Sequence, residues 1–205
     1  MIRIIDYGVG NIQAFITMFN SLGLSAERAC VPKDLTDATK LILPGVGAFD
    51  HAMQKLNKSG MRDILDSMVL EQQVPVLGVC VGMQMLASSS EEGVLAGLNW
   101  IPGRVRAFDN MFEKAAQMPL PHMGWNDLQF NSDSKLFSGF DPQPRFYFLH
   151  SYYFECLEKT DIAATATYGL EFPCVVSKRH IHGVQCHPEK SHHFGAQLLK
   201  NFVEL

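Results

Sequence analysis

Apolar positions along the chain fall into two rhythms. Up to about residue 80, short, mainly apolar runs at residues 2–6, 41–44 and 75–79 alternate with stretches whose apolar residues recur every three or four positions. Runs of that length suit strands buried on both faces. The segment after the first run places Ile12, Phe15, Ile16, Phe19 and Leu22 on one face of a helix, with Asn11 positioned to cap its start and Gly23 its end. A second helical stretch covers residues 61–72, and a third helical pattern follows Cys80. Strands separated by helices predict a parallel α/β sheet covered on both faces. Beyond residue 100 the pattern changes to short strand candidates at residues 102–108, 127–130, 145–154, 162–168, 172–177 and 180–186, then a closing helix over 194–203 with Leu198, Leu199 and Phe202. These read as added, partly antiparallel strands. No repeat, low-complexity tract or linker divides the chain, so residues 1–205 are expected to form one domain.

Composition narrows the class. Hydrophobic residues make up 47% of the 205 and charged residues 19%, a globular balance without the signature of disorder. A net charge of −4 provides no electrostatic footprint for nucleic acid or an anionic membrane. The apolar runs are too short to span a bilayer, and the opening Met1-Ile2-Arg3-Ile4-Ile5-Asp6 lacks a signal-peptide layout. Five cysteines, an odd number at 30, 80, 156, 174 and 186, make no disulfide framework. The expected compartment is a reducing cytoplasm.

The most informative text is Val76-Leu77-Gly78-Val79-Cys80-Val81-Gly82-Met83-Gln84, an apolar strand running through Gly-x-Cys-x-Gly into a helix. This is the cysteine form of the nucleophile elbow, in which a sharp strand-to-helix turn projects the thiol from the end of the sheet. Glycines on either side leave room for the turn, and the helix N-terminus favours a thiolate. A free cysteine ionises near about 8.5, so little is reactive at neutral pH without such help. The N–H of Val81 would face the oxyanion formed on attack. A small buried cysteine in a glycine-rich strand end is the plainer reading, and it is preferred for the other four.

A base is available near the C-terminus in Gly183-Val184-Gln185-Cys186-His187-Pro188-Glu189-Lys190. Pro188 favours an extended His187, and residues two apart on an extended segment share a side. Glu189 could then accept the second N–H of His187 and fix its tautomer. The competing reading is a metal site, because His180, His182, His192 and His193 crowd the region. No Cys-x-x-Cys or His-Glu-x-x-His spacing supports it, so no metal is expected. His180 and His182 read as strand-surface residues.

Together with Ile5-Asp6-Tyr7-Gly8-Val9-Gly10-Asn11, Leu43-Pro44-Gly45-Val46-Gly47, Pro102-Gly103-Arg104-Val105 and Tyr147-Phe148-Leu149-His150-Ser151-Tyr152, these segments resemble the class I (triad) glutamine amidotransferases. The Pro121-His122-Met123-Gly124-Trp125-Asn126 segment narrows the resemblance to the glutaminase subunits of imidazole glycerol phosphate synthases. The resemblance implies a flavodoxin-like, mostly parallel open sheet with helices on both faces and added antiparallel strands. It implies glutamine as substrate, a triad of Cys80, His187 and Glu189, and no cofactor. Backbone N–H groups of Val46, Gly47 and Val81 would form the oxyanion hole. Gly45, Gln84, Glu92, His150, Ser151 and Tyr152 would hold glutamine, a reading preferred over Gln84 as a plain helix residue and Glu92 as a solvated loop charge. His122 and Trp125 read as packing or partner-facing residues.

The implied partner is a (β/α)8 cyclase that takes the ammonia in histidine biosynthesis. Cys186 stands where an aromatic residue is commoner and Val81 where leucine is usual. The Ser191-His192-His193-Phe194-Gly195 stretch, with Phe154 and residues 162–172, looks more like paralogues that feed sugar amidotransferases of surface-polysaccharide synthesis. A cysteine peptidase or deglycase of the same fold, or an inactive interaction subunit, are the readings from other classes.

Overall fold

The computed structural model describes residues 1–108, 118–131 and 133–205. Its centre is an eight-stranded sheet. Five parallel strands come first: β1 (Ile2–Ile5), β2 (Ala26–Ala29), β3 (Lys40–Gly45), β4 (Val76–Cys80) and, far along the chain, β13 (Ile181–Val184). Their order, β2-β1-β3-β4-β13, is the flavodoxin-like arrangement. Three antiparallel strands extend it: β12 (Leu170–Lys178), β11 (Ile162–Tyr168) and β8 (Gln129–Phe130). All residues of β4 and β13 are buried, so both faces of the sheet are covered there. That is why the run at β4 is continuously apolar, while in β13 the buried His182 pairs with Ser177.

Helix α1 (Ile12–Ser21) buries Ile12, Phe15 and Phe19, each contributing about 1.5–3 kcal/mol of burial. Asn11 makes no side-chain cap bond. The other end closes as expected: Gly23, at φ 71°, donates to Asn20 while Leu24 donates to Phe19, a Schellman pair. Helix α2 (Phe49–Lys58), not anticipated from the sequence, buries Phe49, Ala52, Met53 and Leu56. The stretch expected as one helix over 61–72 is α3 (Arg62–Asp66) running into a wide π turn at Ser67–Glu71. The elbow helix α4 (Val81–Gln84) is short, and α5 (His192–Glu204) ends the chain against α1.

The remaining strands form two small sheets. One is β10 (Tyr152–Cys156), β6 (Gly103–Ala107) and β5 (Ser89–Ser90); the other is the antiparallel pair β7 (His122–Asp127) and β9 (Arg145–His150). The run expected as a single strand over 145–154 is therefore two, broken at Ser151, because its halves pair with different partners. Among the described residues no helix is long and apolar enough to cross a membrane.

Candidate active site

Three parallel strands deliver their ends to one place. Gly45 closes β3 in register with Cys80 at the end of β4, and Val184 of β13 lies opposite Val79. The carboxyl ends of strands are where open α/β sheets place ligands. Cys80 turns the chain at φ 55° and ψ −114°, a left-handed conformation that a side chain rarely adopts. The elbow is locked by close backbone approach. A Cβ on Gly78 would come within 2.6 Å of the Gly82 carbonyl oxygen, one on Gly82 would overlap the Leu43 carbonyl, and one on Gly45 would overlap the Gly82 amide nitrogen. The Tyr7–Gly10 turn supports this layer from the side, since the Tyr7 hydroxyl donates to the Pro44 carbonyl at 2.7 Å.

The thiol opens onto a cleft of about 390 Å³ lined by Val46, Gly47, Cys80, Val81, Gln84, Glu92, His150, Ser151, Tyr152 and His187, with Pro121, Leu149 and Lys190 completing the wall. Ten of the twelve residues expected from the sequence thus meet at one cavity. Gly45 lies under it in β3, and Glu189 lies behind His187.

His187 is extended, at φ −104° and ψ 93°, but the chain does not stay extended as expected. Pro188–Lys190 form a 3-10 turn, and this turn brings Glu189 back beneath the ring. Glu189 Oε1 lies 2.8 Å from His187 Nδ1, with both side chains almost wholly buried. His187 Nε2 is buried with no hydrogen-bond partner, and so is Glu189 Oε2. Burial opposes a charge on His187. The neighbouring Cys80 and Glu189 outweigh it, raising the pKa to about 10. The imidazolium is thus the resting form whenever Cys80 is ionised. Backbone contacts fix the histidine further. Its N–H donates to the Tyr147 carbonyl at 2.8 Å, while the Ser191 hydroxyl donates to its carbonyl at 2.6 Å and accepts from Tyr147 N–H.

The side chains around the cleft are committed unequally. Gln84 spends both amide hydrogens, on the Tyr152 carbonyl at 3.2 Å and on Gln185 Oε1 at 3.0 Å, leaving only its oxygen for a ligand. Glu92 is no solvated loop charge. Its carboxylate accepts from the Phe49 N–H at 2.8 Å at the start of α2, and Asp50 pins the following loop through the N–H groups of Val94 and Leu95. Burial, opposed by the Phe49 N–H and reinforced by Asp50, raises the Glu92 pKa. A cation entering the cleft would relieve that penalty. His150 faces inward and is neutral, its pKa lowered to about 3 chiefly by burial. Val81 is the first residue of α4, so its N–H lacks an intrahelical partner. Gly47 takes φ 79°, leaving the Gly45–Gly47 loop shaped by glycine.

Gln185, Ser191 and Tyr7 hold the site without having been anticipated. The available signal for Gln185 was its place two residues before His187. Tyr7 and Ser191 act through backbone carbonyls that no motif exposes. The crowded histidines do not converge. His182 is buried rather than on the strand surface, paired with Ser177 Oγ at 2.8 Å, and His180 bonds the Val69 carbonyl. Among the described residues, no group of three His, Cys, Asp or Glu could hold a metal ion.

Residues 3–205 match the family described as glutamine amidotransferase class-I. The imidazole glycerol phosphate synthase subunit HisH of Bdellovibrio bacteriovorus is 58% identical over all of both chains. The subunit of the same name in Leptospira interrogans is 49% identical, again with full coverage of both. Among solved structures, that of a glutamine amidotransferase superposes with a TM-score of 0.75 at 18% identity, covering 99% of this chain and 97% of that one, a likeness of fold. The chain belongs to the class I glutamine amidotransferases, in the branch of the HisH subunits.

Proposed function

We propose that this enzyme is the glutaminase subunit of an imidazole glycerol phosphate synthase, working through Cys80, His187 and Glu189. The observation that carries the reading is the shared cleft. An elbow thiol and a histidine with one nitrogen held by a buried carboxylate and the other unpartnered face the same cavity. Residues 1–205 would act as one domain.

Glutamine enters with its carboxamide over Cys80 and its α-ammonium towards Glu92, while the backbone of the Ser151–Tyr152 segment and the Gln84 oxygen position the rest. The thiolate attacks the carboxamide carbon; a C–S bond forms and the carbonyl electron pair moves onto oxygen. N–H groups of Val81 and of the Val46–Gly47 loop receive that charge, each donor contributing about 10²–10³ in rate. Collapse breaks the C–N bond, and His187 Nε2 gives its proton to the departing nitrogen, which leaves as ammonia. The neutral imidazole then takes a proton from water, the hydroxide attacks the glutamyl thioester, and collapse of the second oxyanion breaks the C–S bond. Glutamate leaves, and the thiolate and imidazolium are restored. Glu189 holds the ring throughout.

Ammonia released here needs an acceptor. Val46 and Leu149 are exposed at the cleft wall, while Met123 and Trp125 of β7 are 65% and 41% exposed. Exposed apolar side chains beside a site mark a docking face. The partner is a (β/α)8 cyclase of histidine biosynthesis, and the compartment is the cytoplasm. Mixing the chain with that cyclase and its acceptor substrate should accelerate glutamate release at least tenfold over the chain alone. Acceleration only by a sugar amidotransferase would transfer the protein to the polysaccharide pathway. Glutamate release by the chain alone at the rate of the mixture would contradict acceleration by a partner.

A further inference from the structure

Gln185 is fully buried, and both ends of its carboxamide are engaged. Its Nε2 is aimed at Cys80 Sγ, 3.8 Å away, while its Oε1 accepts from Gln84. The other N–H of Gln84 reaches the Tyr152 carbonyl, which also accepts from His150 Nδ1 at 2.7 Å. His150 Nε2 lies 2.9 Å from His122 Nδ1, and His122 Nε2 lies 3.3 Å from Asn126 Nδ2. The remaining N–H of Asn126 goes to the Thr167 carbonyl at 2.9 Å. A single hydrogen-bonded chain therefore runs from β7 to the sulfur.

The chain has one self-consistent direction. The Tyr152 and Thr167 carbonyls can only accept. Burial keeps both imidazoles neutral, with pKa lowered to about 4 in His122 and about 3 in His150, so each has one N–H and one lone pair. The Tyr152 carbonyl requires the proton of His150 on Nδ1. His150 Nε2 must then accept, which places the proton of His122 on Nδ1 and turns its Nε2 towards the N–H of Asn126. On the other branch, Gln84 presents N–H to both neighbours, so the oxygen of Gln185 must face Gln84. Its N–H must face the sulfur. Flipping the Gln185 amide would set N–H against N–H and oxygen against thiolate.

We propose that Gln185 is the hydrogen-bond donor to the Cys80 thiolate, held in that orientation by Gln84, the Tyr152 carbonyl, His150 and His122. The proposal rests on Cys80 being the nucleophile. Beside Cys80 the described residues place His187 across the cleft and the Gln185 amide at the sulfur. A donor on the opposite flank supports the anion before attack and again when sulfur leaves the thioester. The four chain members are positioning residues.

The test uses the full chain carrying Gln185→Met, which keeps length and removes the donor. The turnover number for glutamine should fall about tenfold, as expected for a lost hydrogen bond to a charged group, with KM unchanged. Iodoacetamide alkylation of Cys80, followed on its own peptide at neutral pH, should slow by a similar factor. Unchanged turnover and alkylation in a folded variant would overturn the proposal. Should Gln185→Met fail to fold, the wild-type side-chain amide resonances of Gln185 decide. They should move between the wild-type and Cys80→Ala chains, and unmoved resonances would overturn the assignment. Hydrolysis that persists in Cys80→Ala would defeat the nucleophile reading itself. Cys80-dependent hydrolysis indifferent to Gln185 would defeat this inference alone.

Discussion

At φ 55° and ψ −114°, Cys80 occupies backbone space in which a Cβ is strained, at a general cost of about 1–3 kcal/mol. The surrounding contacts hold it there, with the Gly82 helix start pressed against the Leu43 carbonyl and the Gly45 loop beside it. Strain of this kind has a direct signature in stability. Both Cys80→Gly and Cys80→Ala should be inactive, but only glycine relaxes the turn. Cys80→Gly should be more stable than Cys80→Ala by about 1 kcal/mol in urea denaturation. Equal stability would mean that the elbow carries no strain.

Between elements, the decisive contact is that of β3 and β4 with α4, where glycines replace side chains. Gly82→Ala would drive a methyl into backbone that cannot swing aside, so β3 and α4 must separate. The expected loss is about 1–3 kcal/mol, accompanied by a fall in activity because the cysteine moves with the helix. Gly23→Ala has open space around its Cβ and a strained φ of 71° alone, so it should cost about 1 kcal/mol and leave activity intact. Thermal melts of both variants check this, and a harmless Gly82→Ala would contradict it. The same elements show what the text could carry. β3 and β4 were legible because burial on both faces leaves nothing polar in the run. β2 was not, since at the sheet edge only Ala26 and Ala29 turn inward around the exposed Glu27 and Arg28. In α2 the inward stripe includes Ala52, too small to mark a face, and the polar residues between hide the period. The break at Ser151 depends on which strands β9 and β10 choose as partners, a tertiary fact. Motif chemistry located the cleft residues, whereas the Gln185 and Ser191 contacts depend on geometry that no local pattern encodes.

For the molecule as a whole, four buried histidines predict a dome of stability against pH. Burial lowers the pKa of His122 to about 4, of His150 to about 3 and of His182 to about 4, against about 6.5 in an unfolded chain. Between those values the unfolded state binds more protons, so stability falls as pH drops from about 6.5 towards 3. His187 works in the opposite sense. Its folded pKa of about 10 lies above the unfolded value, so its contribution is complete below about 6.5 and is lost as pH rises through about 10. Cys80→Ala and Glu189→Gln each remove a cause of that rise. Urea midpoints across pH should show both variants with a flattened alkaline limb. An alkaline limb untouched by either would mean that His187 is not coupled to them.

The account stands most directly on the covalent intermediate. The full chain, mixed with glutamine and quenched in acid within its first turnovers, should yield a glutamyl adduct on the Cys80 peptide by mass spectrometry. Cys80→Ala should show neither adduct nor glutamate release. An adduct on Cys186 instead, or glutamate formed by Cys80→Ala at the wild-type rate, would contradict it.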